Sequence, residues 1–398
     1  MLVVGAGECG TRAALALREE GYAGPVTLVG GEPGTPYERP PLSKAVLSGA
    51  ADLTPLCPAE RLAEAGVTHL AGVAATALDV TAHTLALADG RVLGYDRLLL
   101  ATGARARPLP GALVLRNHAD AVALRERLVP GARVGVVGGG FIGLEVAATA
   151  AGLGCAVTVV EAAPRLMARA VPERLAARAA ARHVEAGIDV RCGTAVARLE
   201  PGRIVLTDGR VVEVDVVVAG IGSAPETALA EAAGIAVGNG ILVDGAMATS
   251  APDVFAAGDC CSFPHPLYGD RRLRLESWRA AQEQGVHAAR AMLGTPGPYA
   301  AVPWFWSDQH DLSLQVAGLS GAATEEVVRL RPDGAELWFG LDAGRLVAVA
   351  GIGAGTAVAR DVRIGEMLIA RRATPDPAAL TDPAAALKPL LRAPSPVG

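Results

Sequence analysis

Aromatic residues are scarce in this chain, 4% of 398. It also lacks long hydrophobic runs: no stretch of about 18 apolar residues goes without a breaker, so no membrane span is expected. Cysteine is sparse. Cys9, Cys57, Cys155, Cys192, Cys260 and Cys261 form no C-x-x-C and no zinc spacing, which argues against a dithiol centre or a metal site. The neighbours Cys260 and Cys261 are expected to be ordinary reduced thiols. The seven histidines show no ligand spacing, and His287 and His310 are expected as surface or packing residues. No sign of charge dominates. A formal net charge of −5 gives no whole-molecule reason to expect nucleic acid or an anionic membrane as partner. The opening Met1-Leu2-Val3-Val4-Gly5 carries no cationic lead and runs straight into a glycine motif, so a cytoplasmic protein is expected.

What the chain does have is glycine, 48 residues of it, and 51% hydrophobic residues. That mixture suits an α/β protein with tight turns around ligands. The length calls for two or three domains.

One pattern occurs twice. Leu2-Val3-Val4 is an apolar strand that leads into Gly5-Ala6-Gly7-Glu8-Cys9-Gly10, after which a helical run begins. Val134 to Val137 lead in the same way into Gly138-Gly139-Gly140-Phe141-Ile142-Gly143 and a second helix. Strand, G-x-G-x-x-G turn and helix form a dinucleotide-binding unit. The first glycine turns the chain sharply, the second admits a pyrophosphate, and the third lets helix and strand close up. The helix N-terminus then offers free N–H groups and partial positive charge to the phosphates. The echo continues in two later strands that close on small residues, Leu98 to Gly103 with Ala101, Thr102 and Gly103 at its end, and Val216 to Gly222.

Glu161 closes its strand about twenty residues after Gly138, the spacing of a carboxylate that accepts bonds from ribose hydroxyls. A 2′-phosphate would meet a like charge there, so NADH is expected over NADPH, although Arg165 stands close by in sequence. In the first unit Glu32 is the candidate for the corresponding ribose, with a register uncertain by one residue because Gly31 precedes it. Two sites suggest two tenants, one a bound flavin and one a visiting nicotinamide, with their rings in contact for hydride transfer.

Further motifs carry a resemblance. Pro36 to Lys44 reads P-Y-E-R-P-P-L-S-K, Thr249 to Asp259 reads TSAPDVFAAGD, Leu275 to Trp278 reads L-E-S-W, and Pro303 to Gln309 reads P-W-F-W-S-D-Q. In order and over essentially the whole chain, these segments resemble the FAD-dependent NADH–ferredoxin reductases of oxygenase systems. Both the reductase components of ring-hydroxylating dioxygenases and the putidaredoxin-reductase type are similar.

The resemblance implies FAD at Gly5, Gly7 and Gly10, with Gly258 and Asp259 in the second FAD motif. Arg39 and Lys44 would line the flavin, the helix starting near Trp278 would aim its N-terminus at the flavin pyrimidine, and Trp306 would pack beside the ring. NADH would take Gly138, Gly140, Gly143 and Glu161. Glu145 would lie where the nicotinamide arrives, and Lys44 and Glu145 are expected to form an ion pair as the catalytic residues.

The implied fold is α/β, with two interleaved Rossmann-like nucleotide-binding domains plus a C-terminal α+β domain. Its parts are an FAD domain at 1–107 and 233–300, an NADH domain at 108–232 and a C-terminal reductase domain at 301–398. The implied reaction passes electrons from NADH through FAD to a [2Fe-2S] ferredoxin that feeds a dioxygenase or a haem-thiolate monooxygenase. A flavin NADH oxidase, a monodehydroascorbate-type reductase and an apoptosis-inducing-factor-like signalling flavoprotein are the alternatives. Oligomeric state is left open. Arg271, Arg272 and Arg274 form a basic cluster that either docks an acidic ferredoxin or is a solvated loop. The tail after Thr374, rich in Ala and Pro, is expected to pack loosely.

Overall fold

The structure is a computed structural model that describes residues 1–58, 60–295 and 297–392. Its contacts divide the chain into two units. Unit 1 comprises Met1–Arg39, Leu53–Arg105 and Ser223–Ala301, and unit 2 comprises Pro40–Asp52, Ala106–Gly222 and Val302–Gly398. The segment holding Lys44, which the sequence assigns to the FAD part, therefore belongs by its contacts to unit 2.

Unit 1 is built on a parallel sheet of five strands. In spatial order they are Val254–Ala256, Leu98–Leu100, Leu2–Val4, Val26–Gly30 and Val67–Ala71. Leu2, Val3, Val4 and Leu98 to Leu100 are all buried, as the central strands of a sheet covered on both faces must be. The helix Glu8–Glu19 follows the first strand and buries Ala13, Ala14, Ala16 and Leu17. The helix Trp278–Met292 lies against it so closely that a Cβ on Gly285 would strike the Cys9 carbonyl.

Unit 2 repeats the scheme with a parallel sheet ordered Asp189–Cys192, Ala156–Glu161, Arg133–Val137 and Val216–Ala219. Its helix Phe141–Gly152 starts straight after the glycine turn. The same unit carries an antiparallel five-stranded sheet, ordered Trp304–Gln309, Leu312–Gly318, Arg345–Ala354, Glu336–Asp342 and Glu325–Leu330. The helix Ala359–Ala370 covers one face of it with Val362, Leu368 and Ile369 buried.

The tail corrects an expectation. Leu380 and Leu387 are buried, and the buried Arg329 guanidinium donates to the carbonyls of Leu380, Ala379 and Ala385 at 2.7, 2.6 and 3.0 Å. One arginine thus satisfies three chain carbonyls and holds the tail against the sheet. Composition could not show this, because the clamp comes from a distant strand.

Candidate functional site: two dinucleotide cradles and a buried carboxylate

The two glycine turns are the same object in backbone terms. Gly5 and Gly138 take φ of +108° and +107°, a region open in practice to glycine. A Cβ on Gly5 would collide with the Ala101 carbonyl, and one on Gly138 with the Gly220 carbonyl. The third glycines, Gly10 and Gly143, press on the carbonyls of Gly5 and Gly138. The middle glycines differ. Nothing lies within 4 Å of a Cβ built on Gly7, and only the Gly220 oxygen, at 3.9 Å, on Gly140. Each is the N-cap of its helix, with extended backbone and no side-chain cap. Open space beside uncapped helix N–H groups is what a pyrophosphate requires, so both cradles fit a dinucleotide.

Register separates the two acids. Gly5 donates its N–H to Val29 O, and Gly138 to Val160 O, both at 2.8 Å. The residue after each acceptor is Gly30 in unit 1 and Glu161 in unit 2, so Glu32 stands two positions beyond the equivalent of Glu161. The Glu161 carboxylate accepts the N–H of Gly139 at 2.6 Å and of Ala163 at 2.7 Å. Glu32 bonds Tyr37 OH and an Arg39 nitrogen, the latter at 2.6 Å. Arg165 turns to the carbonyls of Leu166 and Ala168.

Elsewhere in unit 1, Thr102 donates its hydroxyl to Glu226 O at 2.6 Å, which holds the end of the strand beside Gly103. Gly258 has φ +82° and donates its N–H to the buried Gln284 Oε1 at 2.8 Å. Arg274 reaches the backbone oxygen of Asp259 at 3.4 Å. The helix starting at Trp278 is capped by Ser277, whose side chain accepts from Ala280 N–H. Glu8, in the first helical turn after Gly7, was not singled out from sequence. Burial first, then Glu38, pushes its carboxyl up to about 7, against the pull of a Gln282 bond.

The thiols behave as expected of inert cysteines. Cys9, Cys260 and Cys261 are buried, and burial pushes each above its usual range. Among the described residues there is no metal-binding group of three or more His, Cys, Asp or Glu side chains.

The basic cluster is only partly available. Arg272 donates to Val243 O and Ser262 O at 3.0 and 2.6 Å, and Arg274 is paired with Glu276 and bonded to Asn239. Two of the three guanidiniums thus tie loops together.

In unit 2 Glu145 is 4% exposed and Lys44 25%, with Lys44 Nζ 2.9 Å from Glu145 Oε2. The expected pair is present. The same oxygen accepts Ser43 Oγ at 2.5 Å, and Oε1 accepts Ser307 Oγ at 2.7 Å. A buried carboxylate needs such partners, and three donors from two segments, Ser43-Lys44 and Ser307, supply them. Lys44 also donates to Pro40 O at 3.3 Å. Trp306 stands in the same strand as Ser307, stacked on Trp304 with ring centres 5.4 Å apart, and its indole N–H donates to Asp308 at 3.1 Å.

Two glycine cradles of matching backbone, one followed by a strand-closing acid and a buried ion pair, fit a two-nucleotide oxidoreductase. The chain belongs to the pyridine nucleotide-disulphide oxidoreductase family, whose model matches residues 1–285, and residues 304–391 match the reductase C-terminal family. It is 42% identical to the ferredoxin–NAD(+) reductase component of the anthranilate 1,2-dioxygenase system of Burkholderia cepacia, over 98% of both chains. Putidaredoxin reductase of Pseudomonas putida is 39% identical over 83% of this chain and 82% of that one. The fold is similar to that in the crystal structure of the covalent putidaredoxin reductase–putidaredoxin complex, with a TM-score of 0.92, 37% identity and 98% of each chain covered. No helix among the described residues is long and apolar enough to cross a membrane.

Proposed function

We propose that this protein is an NADH-dependent ferredoxin reductase, a cytoplasmic flavoprotein that passes electrons from NADH through FAD to a [2Fe-2S] ferredoxin serving an oxygenase. The observation that carries the reading is the pair of matched cradles, Gly5-Gly7-Gly10 and Gly138-Gly140-Gly143, in one chain that is similar to such reductases from end to end. When bound, FAD supplies the conversion between nicotinamide, which gives electrons in pairs, and an iron–sulfur cluster, which takes them singly.

The protein's own residues bind and orient. Gly5, Gly7 and Gly10 cradle the FAD pyrophosphate, with Ala101, Thr102, Gly103, Gly258 and Asp259 alongside. Glu32 and Arg39 act as a linked pair toward the same cofactor, and the helix N-terminus at Trp278 offers positive potential to it. Gly138, Gly140 and Gly143 hold the NADH pyrophosphate, while Glu161 reads the ribose. Lys44 and Glu145 hold a charge and an acceptor at the nicotinamide end, and Trp306 supplies a stacking face. The division into an FAD part at 1–107 and 233–300, an NADH part at 108–232 and a reductase part at 301–398 follows these roles. An oxidase of the cysteine-bearing type is disfavoured, because all six thiols are raised above their usual range rather than activated.

The test is direct. The purified protein should be yellow, with one FAD per chain, and should catalyse NADH-dependent bleaching of an added [2Fe-2S] ferredoxin. A folded protein that takes up no flavin on reconstitution, or that reduces oxygen but not ferredoxin, would overturn the assignment.

A further inference from the structure

Behind Glu145 a line of polar groups runs through the interior of unit 2. Ser307 Oγ donates to Glu145 Oε1 at 2.7 Å, and Gln309 Nε2 lies 3.1 Å from Ser307 Oγ. His183 Nε2 lies 2.9 Å from Gln309 Oε1, and His310 Nε2 lies 3.2 Å from His183 Nδ1. Glu145, Ser307, Gln309 and His183 are all buried, His183 and Ser307 completely. His310 sits at the turn between two strands with φ +56°, in the left-handed region that histidine enters more readily than most non-glycine residues, and its ring meets His183 edge-on with centres 4.7 Å apart. Burial lowers both imidazoles below their usual range, His310 to about 4 with His183 and Arg182 adding to the effect. Both rings are thus neutral near neutral pH.

Donor counting then sets the sense of every bond. An ionised Glu145 can only accept, so Ser307 must donate to it. The Ser307 oxygen then accepts from Gln309, whose amide must present nitrogen to Ser307 and oxygen to His183. His183 must carry its proton on Nε2, which leaves Nδ1 as an acceptor, and His310 must carry its proton on Nε2 as well. The charge on one carboxylate thereby fixes the tautomer of an imidazole four bonds away.

We propose that Ser307, Gln309 and His183 are positioning residues for Glu145, a hydrogen-bond line of single polarity that ends on His310 and locks the Ser307 hydroxyl onto the carboxylate beside Lys44. The proposal rests on the reading of Lys44 and Glu145 as the nicotinamide end of the site. Coupling runs both ways, as any linkage must: the carboxylate orders the imidazoles, and the imidazoles order the carboxylate's donor.

The experiment uses the FAD-loaded full chain labelled with nitrogen-15 at histidine. In the unaltered protein His183 and His310 should both report the Nε2–H tautomer. In Glu145→Gln, Lys44 and Ser43 keep the new amide oxygen on their side and turn its nitrogen toward Ser307. Ser307 then accepts from that nitrogen and turns its freed hydroxyl hydrogen to Gln309, Gln309 flips to present its oxygen, and both imidazoles should switch to Nδ1–H. Identical tautomers in the two proteins would overturn the line.

A second arm reads the effect in the other direction by stopped-flow flavin reduction with NADH. His183→Leu should slow reduction about tenfold, while His183→Gln, which keeps an N–H for Gln309, should restore it to within about threefold. Equal rates in the two variants would also overturn the proposal. If the unaltered protein is not reduced by NADH at all, the functional reading fails, and the tautomer measurement still decides the line.

Discussion

Lys44 and Glu145 meet at 2.9 Å although about a hundred residues of chain separate them, and the carboxylate is almost wholly buried while the ammonium is a quarter exposed. Removing either partner should therefore be felt at the nicotinamide end. Lys44→Met and Glu145→Gln are each expected to slow flavin reduction by NADH about tenfold, ~1.4 kcal/mol of barrier. The double variant should be slowed by less than the product of the two, because the second change removes a partner already lost. Stopped-flow absorbance at the flavin band, with FAD content checked, measures all three. Unaltered rates in both single variants would take the pair out of the mechanism.

Glu161 should set coenzyme preference. The kcat/KM ratio of NADH to NADPH is expected to fall in Glu161→Ala and to fall further in Glu161→Arg. The carboxylate also ties Gly139 to Ala163, so Glu161→Ala should raise the KM for NADH as well. Equal kcat/KM for the two coenzymes in the unaltered protein would show that Glu161 does not read the ribose.

Neighbouring glycines should separate binding from folding. A Cβ on Gly7 meets no protein atom within 4 Å, so Gly7→Ala should leave the apoprotein's Tm nearly unchanged while weakening FAD binding by about tenfold or more. Gly10→Ala drives a methyl into the Gly5 carbonyl and should cost about 1–3 kcal/mol of stability. Titration of the apoprotein with FAD and thermal melts distinguish them. A large Tm loss in Gly7→Ala would mean that the open space has been misread.

Glu8 should give the apoprotein a pH signature. Its carboxyl is raised from 4.5 to about 7 by burial first and by Glu38 next. The folded state therefore holds a proton that the unfolded state has already lost, and this group's contribution falls as pH rises from about 4.5 to about 7. Glu8→Gln removes it, so the Tm of the variant relative to the unaltered protein should climb between pH 5 and pH 8. A flat difference would show that Glu8 is ionised in the folded protein throughout.

What could be read from sequence was what is local. Each cradle lies within about six consecutive residues, so its glycine spacing shows in the sequence even though a distant carbonyl, of Ala101 or Gly220, crowds the first glycine. The Lys44–Glu145 pair was legible for a different reason: the family likeness put both at one place, and opposite charges explain one another. What the sequence leaves open or misplaces depends on long-range contacts. Arg272 looks like part of a docking patch until Val243 and Ser262 offer it their carbonyls. The tail looks loose until Arg329 reaches it. His310 is the packing residue the sequence allows, but nothing in its neighbourhood announces His183 on a helix or Gln309 as the link to Glu145. The register of Glu32 needed the Gly5–Val29 bond, which no residue type encodes.

The two cradles are made from main chain alone: a left-handed glycine, a carbonyl behind it and a row of bare N–H groups. The letters between the glycines are then released from any duty to the phosphate. Ala6, Glu8 and Cys9 occupy those places in one cradle, Gly139, Phe141 and Ile142 in the other, with no chemistry in common. A resident guest and a passing one can share a single architectural plan, because what tells them apart is written in positions the plan leaves blank.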